Sequence, residues 1–272
     1  MFSKITKQQQ LEKLYNKNQT LPRIKEEIQG YENGYILDLI YEAGLDEKFG
    51  IDLLTQMILH KRTTLETLVG VLKHHAKESL QEVVEMIEIA LEHGLVEYNE
   101  VTRQFIVAID ISDEVQWEID AYQYPFPMLI PPSPIKDNTQ SGYLSIDTSI
   151  LLKKNHHNDD VVLDHINRAN SIPFEINTDV ATHIQNEWRN LDKKKEGETV
   201  WEFQNRKKAF EKYDRTAKAV IDLLVENTDV IYFTHRYDFR GRIYCQGYHL
   251  NYAGTSWNKG CVSLANKEKV SD

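Results

Sequence analysis

Apolar residues recur at three- and four-residue spacing through much of the first half of the chain, which gathers them on one face of a helix. Short apolar patterns at 34–42 and 51–60, punctuated by Gly44 and Gly50, predict helices. The clearest helix runs from about Ser79 to His93, with Leu80, Val83, Val84, Ile87 and Leu91 on its apolar side. Ser79 predicts the N-cap, Glu82 three residues on completes a capping box, and Gly94 supplies a left-handed stop. Leu95–Tyr98 and Gln104–Val107 then predict two strands of a β-hairpin around a polar turn.

The pattern changes at 122–143. Tyr124 to Pro134 holds five of the chain's seven prolines, so it predicts neither helix nor central strand but a stiff extended connector. Helical periodicity returns over 160–190, with a break near Ser171-Ile172-Pro173, and Lys193–Glu198 is a charged connector. Trp201–Val225 predicts a long amphipathic helix whose apolar side holds Trp201, Phe203, Phe210, Tyr213, Val220, Leu223 and Leu224. Val230–Thr234 and Ile243–Cys245 predict strands bracketing Asp238-Phe239-Arg240-Gly241-Arg242, with no further strand expected after them. The pattern thus predicts a mainly α (α+β) chain in four parts. These are a helical N-terminal domain at 1–121 with a hairpin near 95–109, a proline-rich connector at 122–158, a helical segment at 159–228, and strands within 229–272.

Composition adds bounds. The 272 residues suffice for two domains with buried cores. No apolar run reaches the length of a membrane span, and the polar N-terminus speaks against a secretory signal. Cys245 and Cys261 are too few for a disulfide framework or a zinc knuckle, so a reducing cytoplasm is expected. Residues 1–150 hold 13 Lys and Arg against 24 Asp and Glu, while residues 151–272 hold 19 against 18. Neither half is the basic footprint of a free-standing DNA binder. Any nucleic-acid contact must be local, or a partner must bring positive charge.

The stretch richest in chemistry is Asp238 to Tyr244. Two guanidinium groups flank a glycine that lets backbone approach a ligand. Arginine offers a rigid, permanently charged fork suited to phosphate. Asp238 can hold a fork in place, and Tyr244 and Tyr232 offer stacking surfaces. The plainer reading is a solvated turn with a surface salt bridge. His74-His75 and His156-His157 lack ligand partners at metal spacing and are expected to be surface histidines, so no metal site is expected. Asp159-Asp160 is expected at a helix N-terminus, and Trp257 at a subunit contact.

Asp238-Phe239-Arg240-Gly241-Arg242 followed by Tyr244 resembles the Asp-aromatic-Arg-Gly-Arg motif that opens the palm in single-subunit, phage and mitochondrial-type DNA-dependent RNA polymerases. Gly254–Gly260 is similar to that family's next element, where a lysine-glycine pair starts a helix. Upstream, Pro127–Pro132, Gly142-Tyr143-Leu144 and Asn167–Asn177 resemble earlier family segments, in the family's order. The resemblance covers about residues 120–272, and more loosely from residue 65.

The resemblance implies a helical N-terminal domain and a short, reduced thumb leading into the first strands of a right-hand polymerase palm. It implies that Asp238, Arg240, Gly241, Arg242 and Tyr244 contact the template strand and the RNA–DNA hybrid, with Lys259 near the hybrid phosphates. Arg215 and Lys218 match more loosely. The family's two metal-binding aspartates lie beyond the last residue of this sequence, so no catalytic residue is expected here. The resemblance narrows to the heterodimeric middle-transcription polymerases of Enquatrovirus-type podoviruses. It implies a small subunit, inactive alone, whose large catalytic partner binds Mg2+, acting in the cytoplasm of an infected bacterium. The turn at Tyr98–Arg103 sits where relatives carry a longer strand-separating hairpin, so a phage single-stranded DNA-binding protein is a plausible accessory. The alternative is a winged-helix transcription regulator, from the helix at 79–93 and its following hairpin. Glu78, Glu82, Glu85, Glu88 and Glu92 on that helix would repel phosphates.

Overall fold

The computed structural model describes residues 2–15, 17–30, 34–152 and 155–267, and it is mainly helical with small antiparallel sheets. Two compact units divide the chain. Helix α1 (Phe2–Tyr15) belongs with the residues from 121 onward, and residues 17–120 form the other unit. Among the described residues, no helix is long and apolar enough to cross a membrane.

The 17–120 unit runs α2 (Lys17–Gln29), α3 (Gly34–Glu42), α4 (Glu47–His60), β1 (Arg62–Thr63), α5 (Leu65–Leu72), α6 (Leu80–Glu92), β2 (Val96–Asn99), β3 (Gln104–Val107) and most of α7 (Asp113–Tyr122). Its core is built on fully buried Ile24, Ile36, Phe49, Leu54, Met57 and Ile87. Asp46 accepts from the Phe49 amide at 3.0 Å, and Thr64 caps α5. The Ser79–Glu82 capping box forms, and Gly94 takes φ +72° after the helix. Val83, Ile87 and Ala90 fill the buried face of α6, but Leu80 is 54% exposed because it begins the helix before that face is covered. Glu85, Glu88 and Glu92 line the exposed face. The hairpin pairs β2 with β3, and β1 adds a third strand on the other side, in the order β1-β3-β2. Two residues are too few to show alternation, so β1 is invisible in the pattern.

In the second unit α1 is pinned by polar contacts. Gln8 and Glu12 are fully buried. Gln8 accepts from the Leu129 amide at 2.8 Å, and Glu12 accepts from the Leu144 and Ser145 amides at 2.9 and 2.7 Å and from the Ser145 hydroxyl at 2.7 Å. The proline-rich stretch holds neither helix nor a strand longer than a single bridge, and Met128 bridges to Tyr232 through two backbone hydrogen bonds of 2.7 and 2.9 Å.

Helix α8 (Leu163–Asn170) is followed by strand β4 (Pro173–Ile176), α9 (Thr178–His183), α10 (Val200–Asn227), β5 (Ile231–Tyr232), β6 (His235–Tyr237), β7 (Ile243–Cys245), α11 (Ser256–Gly260) and β8 (Val262–Leu264). One sheet has the order β5-β4-β8, and β6 pairs with β7. Three sequence expectations fail here. Residues 173–176 form a central strand within the expected helical region, with Pro173 tolerated as its first residue. A later strand, β8, does pair with it. The strand leading into the Asp238 turn is 235–237, since 231–232 pairs with β4 instead.

Helix α10 buries Thr216, Ala217, Val220, Ile221 and Leu224, all in its C-terminal half. Trp201, expected on the apolar side, is 70% exposed at the other end. Trp257, expected at a subunit contact, is buried, and its indole N–H donates to the Ile184 carbonyl at 3.0 Å.

Candidate nucleic-acid interface

Strands β6 and β7 form a tight hairpin, with His235 opposite Cys245 and Tyr237 opposite Ile243. The Asp238 amide donates to the Arg242 carbonyl and the Gly241 amide to the Asp238 carbonyl, both at 2.9 Å. Gly241 sits at φ +75°, a left-handed conformation that a side chain would strain. The sequence Asp-Phe-Arg-Gly-Arg is thereby folded so that both arginines turn back toward one carboxylate.

Asp238 organises the turn. Its Oδ1 accepts from the Arg240 amide at 2.9 Å and the Arg242 amide at 3.0 Å. Its Oδ2 accepts from the Arg242 guanidinium at 2.9 and 2.8 Å, from Arg240 at 3.3 Å, and from the Tyr244 hydroxyl at 3.3 Å. The carboxylate is largely covered while the Arg240 and Arg242 side chains are 54% and 52% exposed. Partial burial raises the Asp238 pKa, but its hydrogen bonds and the Arg242 charge outweigh that and hold it below the usual carboxylate range. The hydrogen bonds to Asp238 and Tyr244 raise that of Arg242, so the fork stays cationic. Arg240 lies over the Phe239 ring at 5.2 Å and Arg242 over Tyr244 at 5.7 Å. Phe239 is 75% exposed. The result is two oriented, half-solvated cations with aromatic faces beside them, an arrangement able to meet phosphate oxygens and bases.

The turn borders a cavity of about 500 Å³ lined by Asn155, His156, His157, Asp160, Tyr237 and Phe239, among others. Sequence reasoning missed it because the loop at 151–162 has no periodic pattern. His156 and His157 are exposed, as expected, and Asp159 and Asp160 lie exposed just before α8, which starts at Leu163.

The other expected residues do not join this cluster. Lys259 is exposed on α11, a helix packed against α9. Lys218 is paired with Asp214 at 2.8 Å one helical turn away, and Arg215 is exposed on the same helix. Tyr232 lies in β5 and pairs with Pro173, so it contributes to the sheet rather than to the turn.

The resembling segments meet beneath the hairpin. A Cβ on Gly142 (φ +82°) would lie 3.2 Å from both the Asn170 amide nitrogen and Pro132. Asn170 in turn accepts at 2.7 Å from His235, the first residue of β6, whose other nitrogen meets the Tyr252 hydroxyl at 2.8 Å. Asn167 exchanges hydrogen bonds with the Ile135 backbone at 2.8 and 2.9 Å. Burial, with His165 nearby, pushes the His235 pKa down to about 4, so this support is neutral near pH 7.

No protein-family model matches the chain. A probable DNA-directed RNA polymerase of Gelasinospora sp. (strain G114) is 24% identical over 184 residues, covering 61% of this chain. The match spans about a fifth of that relative's own length, 21%. At that distance, the chain has a sequence relationship to an RNA polymerase.

Proposed function

We propose that the chain is the small subunit of a two-chain phage DNA-directed RNA polymerase, supplying the N-terminal domain, a reduced thumb and the first palm strands. In this reading Arg240 and Arg242 grip backbone phosphates of the template or the RNA–DNA hybrid, Lys259 meets the hybrid phosphates from a separate helix, and Arg215 and Lys218 are weaker candidates. The observation that carries the reading is the Asp238-centred turn, which spends one carboxylate to aim two half-exposed guanidinium groups. The polymerase similarity supports the choice of ligand.

Nucleotidyl transfer of this class uses carboxylates that hold magnesium. Asp238 does not fit that task, because both its oxygens are taken by arginine and amide donors. The reading therefore assigns Mg2+ and its ligands to a larger partner subunit, and this chain's residues position nucleic acid only. A single-stranded DNA-binding protein remains the proposed accessory, and the bacterial cytoplasm the proposed setting.

The test is reconstitution with the companion polymerase subunit. Arg242→Ala is expected to cut RNA synthesis at least about tenfold with co-purification unchanged, and to lower the salt slope of template binding by roughly 0.7–0.9. Wild-type synthesis by Arg242→Ala, or RNA elongation by this chain alone, would overturn the reading.

The regulator reading draws on one observation, the helix–strand–helix–helix–strand–strand order from α4 to β3. The helix that would enter a DNA groove presents Glu85, Glu88 and Glu92, which opposes phosphate approach.

A further inference from the structure

His74 and His75 do not behave as a pair of plain surface histidines. They lie in a single 3-10 turn, Lys73–His75, between α5 and α6, where neighbouring side chains should diverge by about 120°. Instead the two rings lean together, with centroids 4.1 Å apart. Both reach one atom: His74 Nε2 is 3.2 Å and His75 Nε2 2.9 Å from Oδ2 of Asp52 on α4. The His75 side chain is 9% exposed and that of Asp52 10%, and His75 packs edge-on against Phe49 at 5.4 Å. The other carboxylate oxygen, Oδ1, pairs with the Lys25 ammonium.

The hydrogen bonds fix more than proximity. His74 Nδ1 lies 3.2 Å from the Val71 carbonyl, which can only accept, so Nδ1 carries the hydrogen. In a neutral imidazole this leaves the Nε2 lone pair aimed at a carboxylate lone pair. A cation between the two would relieve that repulsion. A backbone carbonyl holding the far nitrogen of an imidazole, and a cation holding the far oxygen of a carboxylate, are the outer contacts that orient metal ligands.

We propose that Asp52, His74 and His75 form a binding site for a borderline divalent cation of the zinc type. Zinc bonds of about 2.0–2.1 Å in tetrahedral geometry separate ligand atoms by roughly 3.4 Å. The observed 2.9 and 3.2 Å separations need to open by only a few tenths of an ångström to admit the ion. Two imidazoles and one carboxylate suit zinc better than magnesium or calcium, which prefer all-oxygen shells. His74 is 54% exposed on the open side, so solvent can supply the fourth ligand. All the groups involved lie within the 17–120 unit, and the inference does not depend on the polymerase reading.

The test uses the full chain without a polyhistidine tag, stripped of metal and titrated with Zn2+ alone by calorimetry, with Co2+ as the spectroscopic probe. One Zn2+ per chain is expected, with cobalt d–d bands of tetrahedral intensity and a thermal midpoint that rises with zinc. His74→Gln and His75→Gln together should weaken binding by about 100-fold or more and abolish the zinc-dependent rise. His74→Gln alone, at the half-exposed position, should show the same direction with an unchanged circular dichroism spectrum, separating ligand loss from misfolding. Absence of zinc binding by the wild-type chain would overturn the proposal. Equal affinity in wild type and double variant would overturn it as well, placing the metal on other histidines.

Discussion

Acidification should loosen the unit that carries the arginine hairpin, and most sharply through His235. This imidazole is 1% exposed at the start of β6, donating through Nδ1 to Asn170 and accepting at Nε2 from Tyr252. Burial first, and the nearby His165 second, depress its pKa to about 4 in the folded chain. The unfolded value is near 6.5, so between the two values the unfolded chain binds a proton that the folded chain refuses. Stability from this group is therefore fully present above about pH 6.5, falls as pH drops toward 4, and levels off below that. Across pH 7 to 5 the loss works out at roughly 2 kcal/mol, approaching about 3 kcal/mol at its limit. Amide hydrogen exchange in β4 and β5, followed from pH 7 to 5, reads the opening free energy of this unit. His235→Gln can still donate to Asn170 but cannot titrate, so its stability should fall by about 2 kcal/mol less than the wild type's over that range. Parallel pH profiles for the two proteins would refute the reasoning.

Other perturbations follow from the same contacts. Glu12→Ala strands two backbone amides, the Ser145 hydroxyl and the Gln8 side-chain amide in a buried site and should cost about 3–5 kcal/mol, read as a lower midpoint in urea unfolding. Gly241→Ala must hold φ +75°, so it should cost about 1–2 kcal/mol by thermal unfolding and reduce template binding without removing a charge. Gly247→Ala would place a Cβ 2.3 Å from the Leu250 carbonyl oxygen, and a loss of about 1–3 kcal/mol is expected in the same assay. Ser79→Ala removes half of the capping box on α6 and should cost about 0.5–2 kcal/mol, visible as faster amide exchange in the first turn of that helix.

The elements legible in the sequence were those with local causes. The capping box at Ser79, the stop at Gly94, the hairpin at 96–107 and the break in regular structure at the prolines each depend on residues close in sequence. What escaped depends on distant partners. β1 and β8 are two and three residues long, and they are strands only because β3 and β4 lie beside them. α1 has no apolar stripe to speak of, and its attachment runs through Gln8 and Glu12, residues that in isolation read as solvated. Trp201 follows the apolar period of α10 yet is 70% exposed, because the buried residues of that helix all lie in its C-terminal half. His74 and His75 were read from their neighbours in sequence, whereas their decisive neighbour is Asp52, more than twenty positions away.

The arginine turn was legible for the opposite reason: its whole hydrogen-bond set closes within seven residues, from Asp238 to Tyr244. Such a set can orient a guanidinium but cannot anchor it, because the hairpin itself has only three residue pairs. Anchoring comes from below, where Tyr237 bridges Leu151, Asn170 bonds His235, and Gly142 admits Asn170 against Pro132. Pro132, Gly142 and Asn170, far apart in sequence, thus support one hairpin. A side chain on Gly142 would be strained at φ +82° and would press on Asn170 and Pro132, both 3.2 Å from its Cβ, and so on the acceptor of His235, while touching no contact of Asp238. The charge of the turn is thus a local property, and its position is a property of the fold beneath it.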